Sequence, residues 1–308
     1  ADDDAHGYGT ETAAWIRDVA GQALPPPTRS QGAGLTQQTV VLRKSRRFDG
    51  PIGQLALAIN AGNAASAVEM LEARADGPIA MRLVASAGAV LPVAIDGRDG
   101  APGGYRAYLE HVSQGPASGE AFDDWAKAVL STFDSFRVLT AVREGPWGVA
   151  GLNSAIERAL SEAGLLQRRG EWYEGRPVIV TRNDASLGVF NGDVGVVLRG
   201  PTGDSALRCF FLDGDELRSV AVGRLADVET AFAMTVHKSQ GSEFAHVLLV
   251  LPDEDARVLT RELVYTGITR ASAAFTLMGK STEQLTLATH RLTRRVSGLR
   301  QLLAKDKE

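Results

Sequence analysis

The sequence predicts an α/β domain with a small β-module inserted into it. Strand-like and helix-like segments alternate over residues 36–174 and again over 229–308. Between them, residues 175–228 hold short runs rich in Val, Phe and Leu, separated by "NGD" (191–193), "GPTGD" (200–204) and "DGDE" (213–216). Tight turns of that composition join antiparallel strands, so this stretch is expected to form a meander or small barrel and not another helical layer. At 308 residues the chain also exceeds one core of ordinary size.

Each element follows from its local pattern. Residues 1–35 open with three acids and contain "LPPPTRSQGAG" (24–34), which marks a peripheral segment around one short helix, "ETAAWIRDVAGQ". "TVVL" (39–42) is a short strand. "PIGQLALAINAG" (51–62) begins with Pro and ends with Gly, as a helix does. "NAASAVEMLEAR" (63–74) repeats its apolar residues at three and four. "YRAYLEHVSQ" and "EAFDDWAKAVLSTF" are two more helices, "FRVLTAV" (136–142) is a buried strand, and "GVAGLNSAIERALSEAG" (148–164) is a helix closed by Gly164. After the β-module come strands "AFAMTV" and "HVLLVLP", a helix over about 257–270, the strand "AAFTLMG" (273–279) and two terminal helices.

Composition narrows the classes. A chain 44% hydrophobic and 23% charged folds as a soluble globule. Apolar runs such as "VLLVLP" (247–252) are too short to span a bilayer, and no basic, apolar, small-residue leader is present, so a cytoplasmic protein without membrane contact is expected. One cysteine, Cys209, excludes a disulfide framework or a cysteine-rich zinc site, and no metal site is expected. It reads as a small buried strand residue. A net charge of −4 argues against coating nucleic acid by bulk electrostatics but leaves room for a local basic patch. "LRKSRRF" (42–48) is such a patch, with four cations in seven residues.

Three stretches carry chemistry. In "LRKSRRF" an arginine supplies a planar, permanent charge suited to phosphate, against the plain alternative of a strand end with solvated charges. In "AFAMTVHKSQGSEF" (231–244) a buried strand breaks into a polar turn. There Gly241 permits close backbone approach to a phosphate or ribose, Thr235 and His237 are donors for a nucleic-acid backbone, and Glu243 accepts from a ribose hydroxyl. A capped turn with a satisfied histidine explains the same residues. In "RELVYTGITRA" (261–271) a helix ends at Thr269-Arg270, which is either a surface arginine or one placed to reach a nucleotide held by a neighbouring domain.

Order and spacing separate these alternatives. The second and third stretches, about 20 residues apart, resemble motifs V and VI of superfamily 1 DNA helicases, and "LRKSRRF" resembles motif IV. "VLTAVREGPWGVAGLN" (138–153) and "GRPVIVTRNDASLGVFNGDVGVVL" (175–198) narrow the resemblance to the RecD family, the α subunit of exonuclease V. The resemblance covers roughly residues 36–290 and corresponds to a C-terminal half. It implies a RecA-like second motor domain, a parallel sheet flanked by helices, with the β-module as an inserted SH3-like barrel. The domain division is then 1–35 peripheral, 36–174 and 229–308 motor, and 175–228 barrel.

The activity implied is ATP-driven 5′→3′ movement on single-stranded DNA, in a subunit that works with RecB and RecC. Arg47, beside Arg46, would contact the γ-phosphate, and Arg270 would be the arginine finger. Gln240, Gly241 and Glu243 would lie at the nucleotide, and Thr235, His237, Asn153, Arg182 and Asn183 along the DNA.

The sequence also departs from the family. It contains no G-x-x-x-x-G-K-[ST] loop, no matching acids for magnesium and no sensor motif between motor domains. Gly279-Lys280-Ser281 lacks the upstream glycine, since position 274 is Ala, and reads as a turn into a helix. ATP and Mg²⁺ would therefore be held mainly by an N-terminal motor domain absent from this sequence, and the chain alone is expected to be inactive. A non-catalytic module that docks DNA or a partner subunit, and a RecD-like helicase acting alone, are the competing readings.

Overall fold

The computed structural model describes residues 8–21, 50–73, 75–117, 121–201 and 206–293. "TVVL", the basic patch with Arg46 and Arg47, and the last expected helix lie outside them. The chain divides into two units, Ala1–Arg47 and Phe48–Glu308. The first holds helix α1 (Thr10–Ala20), ended by Gly21 in the left-handed region, whose N–H donates to the Arg17 carbonyl. That is the helix expected from "ETAAWIRDVAGQ".

The second unit begins with α2 (Gly50–Asn60), α3 (Ala64–Glu72), β1 (Ile79–Leu83), α4 (Leu91–Asp96), α5 (Arg106–Gln114), α6 (Phe122–Asp134), β2 (Phe136–Thr140) and α7 (Val149–Glu162). Strands β3 (Pro177–Val180), β4 (Val194–Arg199), β5 (Leu207–Asp213), β6 (Glu216–Ala221) and β7 (Val228–Thr230) follow. Then come β8 (Ala233–Thr235), β9 (Phe244–Val250), α8 (Arg261–Ile268), β10 (Ala271–Gly279) and α9 (Glu283–His290). Side-chain caps mark two helix starts among the described residues. Asn63 accepts from the Ser66 N–H at α3, and Thr260 accepts from the Leu263 N–H at α8.

Five strands form a wholly parallel sheet in the order β1-β10-β9-β2-β8. Period-2 alternation divides its side chains between two buried layers. Phe136 and Val138 of β2 and Leu248 and Val250 of β9 pack with Tyr105, Trp125, Phe133, Leu152 and Ile156. Leu139, Val247 and Leu249 point the other way, onto Ile52, Leu55, Ile59, Leu71 and Leu263. Helices therefore cover both faces, as the sequence predicts.

Strands β3–β7 form an antiparallel sheet in the order β6-β5-β4-β3-β7. It lies between β2–α7 and β8 in the chain, where the β-module is expected. Val178, Val180, Val197, Cys209 and Phe211 form its own small core. Val196, Leu198 and Phe210 join the main core, with the Phe210 ring 5.4 Å from that of Phe122. The inserted sheet thus shares apolar surface with α6 and is seated on the parallel-sheet unit. Gly279-Lys280-Ser281 is a turn into α9: Lys280 pairs with Asp253 at 3.0 Å, and the Ser281 hydroxyl accepts from the Glu283 N–H at 3.3 Å. No helix among the described residues is long and apolar enough to cross a membrane.

Two elements, β1 and α4, have no counterpart in the sequence reading. Strand β1 is at the sheet edge and only its first two residues are buried. Arg82 interrupts an already short apolar run, so the periodic signal is weak. Helix α4 spans six residues, too short to show a face.

Candidate functional site

Strand β8 ends at Thr235, and the chain turns through residues 236–243 before β9 starts at Phe244. Thr235 organises this turn from a buried position. Its hydroxyl accepts from the Lys238 N–H at 3.2 Å, and its carbonyl accepts from the N–H groups of Lys238 (3.0 Å) and Ser239 (3.3 Å). The buried Ser239 hydroxyl donates to the Val236 carbonyl at 2.8 Å. Gly241 has φ of +93°, a conformation that L side chains rarely adopt, and no other group lies within 4 Å of where a Cβ would stand. The turn needs glycine there for its backbone and not for space.

Helix α8 delivers Arg270 to the same turn. The Arg270 guanidinium donates from Nη1 to the Ser242 carbonyl at 2.9 Å and from Nε to the Thr266 carbonyl at 3.3 Å. The Arg270 carbonyl accepts from the Phe244 N–H at 2.8 Å. Two stretches whose contacting residues lie 28 positions apart are therefore locked side by side. Gln240, Gly241 and Glu243 are exposed on the turn, and Arg270 is half-buried beside it where β9 and β10 begin.

Beneath the turn lies a fully buried cation, Arg137. Its guanidinium pairs with Asp134 at 2.7 Å, donates to the Ala231 carbonyl at 3.1 Å, and sits 4.0 Å over the Phe133 ring and 5.1 Å from that of Phe244. It lines a cleft of about 370 Å³ with Asp193, Val194, Lys238, Ser242 and Glu243, between the inserted sheet and the turn. Motif spacing gave no hint of Arg137, because an arginine inside an apolar strand carries no signature of its partners.

The remaining expected residues divide. His237 is exposed at the head of the turn. Arg182 and Asn183 are exposed beside the β3–β4 turn, where Asn183 Oδ1 accepts from the Asn191 N–H at 2.7 Å. Asn153 is placed differently from its expected role on a DNA track. It is buried on α7, where Nδ2 donates to the Ala233 carbonyl at 3.0 Å and Oδ1 accepts from the Ala233 N–H at 2.8 Å. Since β8 is an edge strand, the amide takes the place of a neighbouring strand. Its polar groups are committed within the fold.

A group that the motifs did not single out flanks the turn. Glu229 on β7 accepts from Arg143 Nη2 at 2.7 Å and from Lys238 Nζ at 3.0 Å. Burial works against its charge, but the bonds from Lys238 and Arg143 outweigh it and hold Glu229 below the ordinary carboxylate range.

The structure is a helix-flanked parallel α/β domain in which a turn and a helix-end arginine meet where β9 and β10 begin. Residues 230–278 match the UvrD-like helicase C-terminal domain family. The particular relatives are RecD proteins. The RecBCD enzyme subunit RecD of Mycobacterium tuberculosis is 40% identical over 262 residues, 85% of this chain and 42% of that protein. The ATP-dependent RecD2 DNA helicase of Deinococcus radiodurans is 33% identical over 171 residues, 54% of this chain and 23% of that protein. Among solved structures, the Pif1 helicase of Bacteroides in complex with ADP-AlF3 and single-stranded DNA superposes with a TM-score of 0.41 at 12% identity, covering 86% of this chain and 56% of that one. The resemblance to RecD drawn from the motifs is thus shown in sequence over most of the chain. The chain spans less than half the length of these RecD relatives, consistent with the expected half.

Proposed function

We propose that this chain is the second motor domain of an ATP-dependent DNA helicase of RecD type, with residues 175–228 as an SH3-like barrel inserted into motor segments 36–174 and 229–308. The observation that carries the reading is the bond between Arg270 Nη1 and the Ser242 carbonyl, 2.9 Å long, which sets the two helicase-like stretches side by side.

In this reading Arg270 is the arginine finger. A planar, permanently charged guanidinium at the start of β10 stabilises negative charge building on a transferring γ-phosphoryl group. The donor set at the turn fits part of a nucleotide: Gln240 donates, Gly241 lets backbone approach, and Glu243 accepts from a ribose hydroxyl. It supplies no glycine-rich cradle for the β-phosphate. ATP and Mg²⁺ are therefore bound mainly by an N-terminal motor domain, where the metal neutralises phosphate charge. The assignment of Arg47 to the γ-phosphate rests on its motif alone. On the DNA side, His237, Arg182 and Asn183 are accessible. Thr235 acts through the turn that it organises, and Asn153 is withdrawn from the track. The whole protein moves 5′→3′ on single-stranded DNA as the exonuclease V α subunit, with RecB and RecC, in cytoplasmic double-strand-break repair.

The test is reconstitution. Joining the chain to a motor domain with a Walker loop should give DNA-dependent ATP hydrolysis that neither part shows alone. Arg270→Ala should then lower kcat by about 10³-fold or more with little change in DNA affinity. Unchanged turnover would remove the finger assignment, and turnover by the chain alone would remove the half-site reading.

A further inference from the structure

We infer that Arg143 and Lys238 form a binding pair for a backbone phosphate of single-stranded nucleic acid, and that Glu229 is the competing anion that occupies it. The inference rests on the motor reading above for its ligand, and on the geometry of these three side chains for its site.

Three separate segments deliver the groups. Glu229 comes from β7, an edge strand of the inserted sheet, Arg143 from the loop after β2, and Lys238 from the turn after β8. Each carboxylate oxygen takes one cation: Oε1 accepts from Arg143 Nη2 at 2.7 Å, and Oε2 from Lys238 Nζ at 3.0 Å. Two cations facing one carboxylate leave a net positive charge among the three.

The two cations stand on fixed backbone. The Arg143 loop is folded back on α7, with the Val149 N–H on the Val142 carbonyl at 3.1 Å and the Ala150 N–H on the Arg143 carbonyl at 3.0 Å. Gly148 and Gly151 allow this, because a Cβ at either would collide with backbone of residues 143–146. The Thr140 hydroxyl closes the loop by donating to the Trp147 carbonyl at 2.7 Å. Lys238 is held through its N–H by Thr235. Cations whose backbone is already ordered lose less freedom on meeting a ligand.

The site is open to exchange. The side chains of Arg143, Lys238 and Glu229 retain 56%, 23% and 39% of their accessibility. A phosphodiester offers two charged oxygens on one centre, as a carboxylate does, so it can replace Glu229 without leaving either cation unpaired. His237 is exposed beside Lys238 on the same turn, which extends the donor row along a strand and favours a polymer backbone over a free phosphate.

The experiment measures polarisation of a labelled oligo(dT) of about 15 nucleotides on the full chain over a salt series. Glu229→Gln should tighten binding by about two- to fivefold, the scale of an exposed ion pair. Arg143→Gln and Lys238→Gln should each weaken it and reduce the slope of log affinity against log salt by about 0.7. Glu229→Gln on the doubly substituted background should give no gain. A fall in melting temperature with unchanged affinity for Glu229→Gln would make the three residues a structural clip and overturn the inference. So would undetectable binding by every variant at low salt. In a competition arm, inorganic phosphate should displace the oligonucleotide from Glu229→Gln no better than chloride at equal ionic strength; specific displacement would assign the pair to a free phosphate group instead. None of these failures touches the Arg270 result in the reconstituted enzyme, so the two readings fall separately.

Discussion

Arg270 Nη1 and the Ser242 carbonyl meet at 2.9 Å across a gap of 28 residues in sequence. The partner is a backbone oxygen, so no side-chain change at Ser242 removes it, but the turn that presents it is open to substitution. Gly241, the preceding residue, holds φ of +93° with open space where a Cβ would stand. Gly241→Ala is therefore expected to cost about 1–2 kcal/mol through backbone strain alone. Urea unfolding should show that modest loss, while turnover of the reconstituted enzyme should fall much further. Equal effects on both would mean that the turn is structural only.

Asn153→Ala should be a stability variant. It removes the amide that bonds both the N–H and the carbonyl of Ala233, and leaves two backbone groups without these partners at the edge of the parallel sheet. A loss of about 2–4 kcal/mol is expected, with oligonucleotide affinity of the folded protein unchanged. Asn153→Asp should fail to rescue, because a carboxylate cannot donate to the Ala233 carbonyl. If affinity fell while stability held, the original place of Asn153 on a DNA track would be restored.

These residues show where sequence is legible. The inserted sheet was readable because its turns, at 191–193 and 213–216, need glycine and acids at fixed places. Strand β9 was readable from the continuous apolar run Val247–Leu251, which a strand buried on both faces demands, whereas Arg137 and Thr140 interrupt the apolar residues of β2. The two stretches that meet at Arg270 and Ser242 were each recognisable by motif, while their contact is seen only in the fold. The bonds of Asn153 to Ala233 were not legible, because an amide on a helix gives the same pattern whether it faces a ligand or a strand edge. Glu229 and its cations were missed because the partners come from 86 and 9 residues away, and no local spacing encodes that triangle. Arg137 was hidden because an arginine inside a buried strand carries no local sign that it is paired.

A buried histidine makes stability depend on acid. His246 on β9 bonds the Pro102 carbonyl through Nδ1 at 2.9 Å and the Thr276 hydroxyl through Nε2 at 2.8 Å. The Pro102 carbonyl can only accept, so the neutral ring carries its proton on Nδ1, and Nε2 accepts from the Thr276 hydroxyl, to which Arg98 Nε donates at 2.6 Å. Burial, aided by the charge of Arg98 and opposed by the Pro102 bond, lowers the His246 pKa to about 4. The folded pKa lies below the unfolded value, so the folded state binds fewer protons between the two. Stability is full above about pH 6.5 and falls as pH drops toward 4, by up to about 3 kcal/mol. Unfolding midpoints across that window should show the slope, and His246→Gln should flatten it.

Cys209 lies fully buried on β5, and burial pushes its thiol well above the ordinary range. Its sulfur sits close enough to Gly195 that a Cβ there would stand 2.8 Å away. The thiolate is the reactive form, so the native protein should resist alkylation and react only as the inserted sheet opens. Iodoacetamide labelling followed by mass spectrometry across a urea series should track that opening. Labelling that precedes loss of the main core would show that the inserted sheet opens first. Cys209→Ser should cost about 1–3 kcal/mol, because it places a hydroxyl among Val178, Val180, Val197 and Phe211, whereas Cys209→Ala should cost less. Rapid native labelling would contradict the burial that this prediction rests on.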